Sequence, residues 1–200
     1  MPSDKFYNLT KEKRKRLIDA SRIEFANNDY ENVSINKIIQ SINMPRGSFY
    51  LYFENKEDLY LYILKEYIKE FRMAFINILR KNNGDVFDSM ITLYDQIVDD
   101  KSYNHKLIER IFLNMNSKQL DFVLPRLMKE EIEGSLTDNI NNDNYNFSSN
   151  EIEVVLSILM PLLFHAVATS LETVQKNIPR VHYLKQINII KRGLERKEKC

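Results

Sequence analysis

The sequence predicts an all-α protein, with a small three-helix helix-turn-helix head followed by a larger helical body. Three observations carry this. Apolar residues recur at three- and four-residue steps along most of the 200 residues, and no segment alternates convincingly with period two. The stretch from Ser34 to Leu59 has the outline of two short helices joined by a tight turn, with a third helix starting at once.

The first helix is predicted from about Thr10, a good N-cap, to Asn27-Asn28-Asp29, with Leu17, Ile18, Ala20, Ser21 and Phe25 inward. Residues 1 to about 10 read as a loose arm. A second helix opens on Ser34 and places Ile35, Ile38, Ile39 and Ile42 on one face. Asn43 falls where the chain must reverse, and asparagine enters the left-handed region at tolerable cost. Pro45 suits the first position of the next helix, because its fixed φ is already helical. If Phe49 and Phe53 point inward there, steps of about 100° per residue place Gly47 and Leu51 outward, flanked by Ser48 and Tyr50. Asn55, with Asp58 three residues on, starts another helix beside Lys56.

In a helix-turn-helix the second helix enters the DNA major groove. Gly47 would let its backbone approach the base edges, Arg46 can reach guanine or phosphate, and Leu51 can touch a thymine methyl. The Tyr50 hydroxyl can donate to phosphate, and Lys56 at a helix start is a phosphate anchor. Ser34 and Lys37, in the first turn of the preceding helix, and Ser48 complete the candidate DNA-binding set. The alternative is that the aromatics are only core and the chain is a helical interaction module without DNA.

These residues resemble the DNA-binding domain of the tetracycline-repressor (TetR) family over about Leu17 to Leu59. Ala20, Ser21 and Phe25 match its first helix, and Ser34 the opening of its second. Gly47, Ser48, Tyr50, Phe53, Asn55, Lys56 and Leu59 match the recognition helix and the entry to the fourth helix. Two glycines of the family pattern are replaced by Asp29 and Asn43, both tolerant of left-handed backbone. The family's serine before the recognition helix is Pro45. The resemblance implies a transcriptional repressor, cytoplasmic and homodimeric, that binds a palindromic double-stranded operator. It also implies a small ligand inside the body and pairing of the last two helices with those of a second subunit. The expected domains are 1–56 for DNA binding and 57–200 for ligand binding and dimerisation.

Composition narrows the alternatives. Four glycines, five prolines and 28% charged residues describe a globular chain. The single cysteine, Cys200, offers neither a disulfide nor a zinc framework and suits a reducing cytoplasm. Net charge is only +1, but ten Lys and Arg against seven Asp and Glu lie at or before Lys56, concentrated in Lys11, Lys13, Arg14, Lys15 and Arg16. His105, His165 and His182 are widely separated and no glycine-rich loop exists, so neither an enzyme, a metal site nor a cofactor is expected. No secretory signal peptide is expected either, because no apolar h-region of the required kind comes after the KEKRKR run.

The body is read as helices throughout. A long one carries Leu59, Ile63, Tyr67, Phe71, Phe75 and Ile78 and stops at Asn82-Asn83-Gly84. Val86 to Val98, about Asn104 to Met115, and Lys118 to Leu136 come next, the last kinked at Pro125. Asp138 to Asn150 is a long polar loop, and Ser148 with Glu151 forms a capping box for the next helix. Val154 to Leu171 lacks formal charge, but Ser157, Pro161, His165, Thr169 and Ser170 interrupt it, so a buried helix is expected rather than a membrane span. Tyr94, Phe112, Met115, Phe122, Met160 and His165 are the candidate ligand-binding residues, which makes the ligand largely apolar. After Pro179, Tyr183, Ile187, Ile190 and Leu194 form a stripe assigned to the dimer interface.

Overall fold

The computed structural model describes residues 2–99, 136–173 and 177–195. Among them the chain forms eight α-helices, here α1 to α8, and short 3-10 turns, with no strand. They divide into two compact units, one ending at Ile68 and the other beginning at Lys69. The division falls inside the helix that starts at Lys56. The reason is that Leu59, Tyr60, Ile63 and Leu64, in the first turns of that helix, are buried in the first unit.

In the first unit, α1 (Asp4–Tyr7) forms a single turn, and α2 (Lys11–Asn27) starts as expected on Thr10, whose hydroxyl accepts from the Lys13 amide at 3.3 Å. The arm is not loose: Phe6 has no exposed surface. Asp29 does not adopt the left-handed conformation expected of a glycine substitute. Its φ is −62°, and the chain leaves α2 through extended Asn28 into a 3-10 turn, Tyr30–Asn32. Helix α3 (Ile35–Ser41) is capped by Ser34, and α4 (Arg46–Tyr52) follows after the turn. α2 packs on α3, α3 on α4, and α1 on α4. Behind α4, Phe49 and Phe53 join Phe6 and Tyr62 in one aromatic cluster.

Helix α5 (Lys56–Lys81) ends where Asn83 takes φ 53° and Gly84 donates back to the Leu79 carbonyl at 2.8 Å. Gly84 itself has φ 79°, and a Cβ there would lie 2.7 Å from the Asn141 amide nitrogen, so both conformation and space require glycine.

The second unit packs α6 (Val86–Asp99), α7 (Ile152–Glu172) and α8 (Asn177–Leu194) against one another. Tyr94 on α6 stacks on Tyr183 of α8 at 4.9 Å and shares a hydrogen bond with Ser170 of α7. Arg180 grips Asp95 with two bonds, at 2.7 and 2.8 Å. Lys191 lies 2.8 Å from Asp88 and 3.4 Å from Asp85. The Ser148–Glu151 capping box is present before α7. The polar loop ahead of it is anchored, because Tyr145 and Phe147 are buried and the Tyr145 hydroxyl donates to Asp85.

Of the stripe assigned to the dimer interface, Tyr183 and Ile187 are fully buried against their own chain, and the Tyr183 hydroxyl donates to the Met90 carbonyl at 3.3 Å. Ile190 and Leu194 are half-buried on the same side. Periodicity identifies the most apolar face of a helix but not its partner, and here α6 and α7 cover that face. The large apolar residues that α8 leaves exposed are Ile178, Val181 and Ile189, and those on α7 include Val154 and Ile158.

Candidate nucleic-acid interface

The turn between α3 and α4 is built by the backbone around one residue. Asn43 has φ 54°, its amide donates to the Gln40 carbonyl at 3.1 Å, and the Met44 amide donates to the Ile39 carbonyl at 2.8 Å. This pair of bonds is the Schellman closure of α3, so asparagine serves where the family pattern has glycine. Pro45 comes next with φ −59° and ψ 137°, as the N-cap of α4 rather than its first helical residue. Its carbonyl accepts from the Ser48 amide at 2.9 Å.

Helix α4 then separates two chemistries. Phe49 and Phe53 are fully buried, whereas Arg46, Gly47, Tyr50 and Leu51 are exposed and Ser48 is partly so. A Cβ on Gly47 would meet nothing within 4 Å. The glycine is therefore not demanded by the fold, and the bare backbone it leaves faces outward. The Ser34 hydroxyl accepts from the Lys37 amide at 3.4 Å, and the Ser34 amide donates to Glu24 at 3.1 Å. Both residues lie at the start of α3, with the Lys37 side chain exposed.

Lys56 departs from expectation. Its ammonium donates to the carbonyls of Tyr30 at 2.7 Å, Glu31 at 3.1 Å and Val33 at 3.5 Å, and stands 4.7 Å from the centre of the Tyr30 ring. All three of its donors are occupied inside the head, so the side chain closes the 3-10 turn that leads into α3 instead of facing phosphate. The expected start of α5 holds otherwise: the Asp58 amide donates to Asn55 at 2.9 Å, and the buried Asp58 carboxylate accepts from Glu54 at 3.3 Å. Burial pushes the nearby Tyr60 hydroxyl up to about 12, so it remains protonated at neutral pH.

The basic run on α2 is sorted by the structure. Lys15 lies 3.7 Å from Asp19. Arg14 stands over the Phe6 ring at 6.0 Å. Lys13 and Arg16 line a groove of about 370 Å³ with Ile42, Asn43, Met44, Pro45, Ser48 and Tyr52. These two cations beside the turn were hidden within an undifferentiated charge run.

Of the candidate ligand residues, Tyr94, Met160 and His165 lie among the described residues. Tyr94 and Met160 are buried, but His165 is exposed on α7. It continues the line of Val154, Ile158 and Pro161 on the outer stripe of that helix. Phe112, Met115 and Phe122 lie outside the described residues, as do the helices expected at Asn104 to Met115 and Lys118 to Leu136.

The head and the helical second unit together define a helix-turn-helix regulator, and comparison with known proteins agrees. The profile described as "Bacterial regulatory proteins, tetR family" matches residues 17–63, and that of a "Tetracyclin repressor-like, C-terminal domain" matches residues 85–194, more than half of the chain. The chain belongs to the tetR family of bacterial regulatory proteins, and it is a DNA-binding transcriptional regulator with a ligand-binding C-terminal domain. It is 25% identical over 169 residues to an uncharacterized HTH-type transcriptional regulator, YdgC, of Bacillus subtilis, covering 81% of this chain and 83% of that one. A fatty acid metabolism regulator protein of Bacillus subtilis is 36% identical over 56 residues, 28% of this chain and 29% of that protein. Among solved structures, a TetR family regulator from Chloroflexus aurantiacus superposes with a TM-score of 0.57 at 27% identity, covering 98% of this chain and all of that one. FadR from Bacillus subtilis in complex with stearoyl-CoA has the same fold, with a TM-score of 0.60 at 19% identity, covering 88% of this chain and 96% of that one.

Proposed function

We propose that the chain works as a cytoplasmic homodimeric repressor that binds a palindromic operator and is released by a small, largely apolar ligand. The observation that carries the DNA contact is the two-sided α4, with aromatics buried behind and Gly47 bare in front. Arg46 and Leu51 read bases, while Ser34, Lys37, Ser48 and Tyr50 hold phosphates. Lys56 leaves the phosphate set and becomes a support for α3, since its donors are satisfied internally.

Dimerisation is supported by the surface that α7 and α8 do not bury on their own chain. α7 is uncharged between Val154 and Leu171, yet Val154 and Ile158 are more than half exposed. On α8, Ile178, Val181 and Ile189 are equally exposed. Two neighbouring helices that each leave an apolar stripe in water are suited to a twofold interface with a second copy. Two heads then present α4 to successive major grooves about 34 Å apart. A ligand that favours a body arrangement with another head spacing lowers operator affinity by its differential affinity for the two states.

The similarity to the fatty acid metabolism regulator spans only 56 residues, but the FadR fold was seen with stearoyl-CoA, so a long-chain acyl-CoA, whose acyl tail is apolar although its CoA head is large and anionic, is the first ligand to test. Selection of bound fragments from genomic DNA, then gel shift with and without stearoyl-CoA at two salt concentrations, tests the reading. A specific duplex with a steep salt slope supports the regulator, and its release by the acyl-CoA supports that ligand class. Binding that is equal for all sequences would reject the operator.

A further inference from the structure

We propose that the segment spanning residues 2–9 is a clasp on the recognition helix, and that Ser3 and Phe6 are positioning residues for DNA specificity although neither reaches a base. The inference rests on α4 being the reading helix.

Helix α4 has seven residues, far fewer than a helix needs to persist by its own backbone bonds. Its N-cap, Pro45, supplies no side-chain bond. Its geometry must therefore be imposed from outside. At the other end, where helix carbonyls lack intrahelical partners, the Ser3 hydroxyl donates to the Leu51 carbonyl and the Ser3 amide donates to the Tyr52 carbonyl at 2.9 Å. Both bonds come from one residue, 48 positions before Leu51 in the chain. Leu51 is a proposed base contact and Tyr50, a proposed phosphate contact, precedes it, so the clasped turn carries one of the two base-reading side chains together with a phosphate anchor.

The clasp is itself anchored. Phe6 has no exposed surface and meets the rings of Phe53 at 5.0 Å, Tyr62 at 5.1 Å and Tyr52 at 6.5 Å. It thus wedges between the end of α4 and α5. The segment is closed by internal bonds from the Phe6 amide to Ser3, the Asn8 amide to Asp4 and the Leu9 amide to Phe6, at 3.0 to 3.1 Å. Arg14 of α2 holds it from behind, with its guanidinium 6.0 Å from the Phe6 ring centre.

Ser3 is exposed, so when the side chain is lost water can take over the bond of its hydroxyl to the Leu51 carbonyl, while its amide keeps the bond to Tyr52. Removal therefore loosens the angle of the last turn of α4 more than it destabilises the head. Loosened reading groups lose discrimination between sequences, while phosphate attraction, which tolerates small displacements, is retained.

The test uses the full chain, a duplex selected by the wild-type protein and a scrambled duplex of equal length. Ser3→Ala is expected to lower the ratio of specific to scrambled affinity about fivefold, and Phe6→Ala more than about tenfold, at an unchanged salt slope. Ser3→Thr keeps the hydroxyl and is expected to restore the wild-type ratio. Amide exchange of Tyr52 and Phe53 in the free protein is expected to quicken in both alanine variants while α2 amides keep their protection. An unchanged ratio in folded Phe6→Ala, or equal losses on both duplexes, overturns the clasp. If the wild-type protein selects no duplex, it is the regulator reading that fails instead.

Discussion

The head and the body obey the same periodicity rule, yet in the head it leaves one possible inward face and in the body it leaves two. In α4, Phe49 and Phe53 are so much larger and more apolar than Gly47, Ser48 and Arg46 that only one side can be inside. In α8, apolar residues occur on two sides, and the richer stripe, Tyr183 with Ile187, is the one its own chain covers. The general lesson is that a helix with one apolar face declares its orientation, whereas a helix with two declares only that it has two partners.

The largest expected effect separates those partners. Ile187→Glu buries a carboxylate without a partner and is expected to destabilise the second unit by about 3–5 kcal/mol, seen as loss of cooperative thermal unfolding. Ile189→Glu places the same charge on the exposed stripe and is expected to leave the melting temperature of the dissociated chain nearly unchanged, while sedimentation shows monomers. If Ile189→Glu stayed fully dimeric at low micromolar concentration and Ile187→Glu merely dissociated the dimer, the two faces would have to be exchanged.

What could be read from the sequence divides in the same way. Asn43 was legible as a left-handed turn because few other residues tolerate it, and the Ser148–Glu151 capping box because its spacing is specific. The docking of Phe6 was not, since its partners Phe53 and Tyr62 lie far along the chain and two adjacent aromatics in a four-residue helix set no periodicity. Tyr145 was hidden for a similar reason. It lies in a run of Asn, Asp and Ser, but its hydroxyl reaches Asp85, sixty residues away. Lys56 matched a family position, and residue identity alone could not tell an ammonium directed at carbonyls from one directed at phosphate.

Lys56 sharpens the contrast at intermediate size. Lys56→Ala leaves three carbonyls of the 3-10 turn without a shared donor, and is expected to lower head stability by about 1–3 kcal/mol in denaturant titration. The salt slope of DNA binding by the folded protein is expected to stay the same. A slope reduced by about one, with stability intact, would return Lys56 to the phosphate contacts.

The smallest effect concerns pH and belongs to the body. Burial opposes ionisation of Asp85, but hydrogen bonds from Tyr145 and the Asp88 amide, and the charge of Lys191, outweigh it and hold the carboxyl below its ordinary value. A lowered folded-state value means the stabilisation is present above the ordinary aspartate range and is lost as pH falls through the lowered value. Wild-type stability is therefore expected to fall on acidification below about pH 4. Asp85→Asn should be less stable at neutral pH and show a shallower acid slope by thermal melts. Equal slopes would mean that other carboxylates govern acid unfolding.

The central claim is that α4 meets DNA through the face on which Gly47 is bare, and Gly47→Leu tests it most directly. Nothing stands within 4 Å of the added Cβ, and leucine favours a helix over glycine by about 0.5–1 kcal/mol, so the variant is expected to melt no lower than the wild type. Its affinity for a selected operator, measured by fluorescence anisotropy beside a scrambled duplex, is expected to fall to the non-specific level, a loss of roughly a thousandfold. A folded Gly47→Leu protein with wild-type operator affinity would contradict the account.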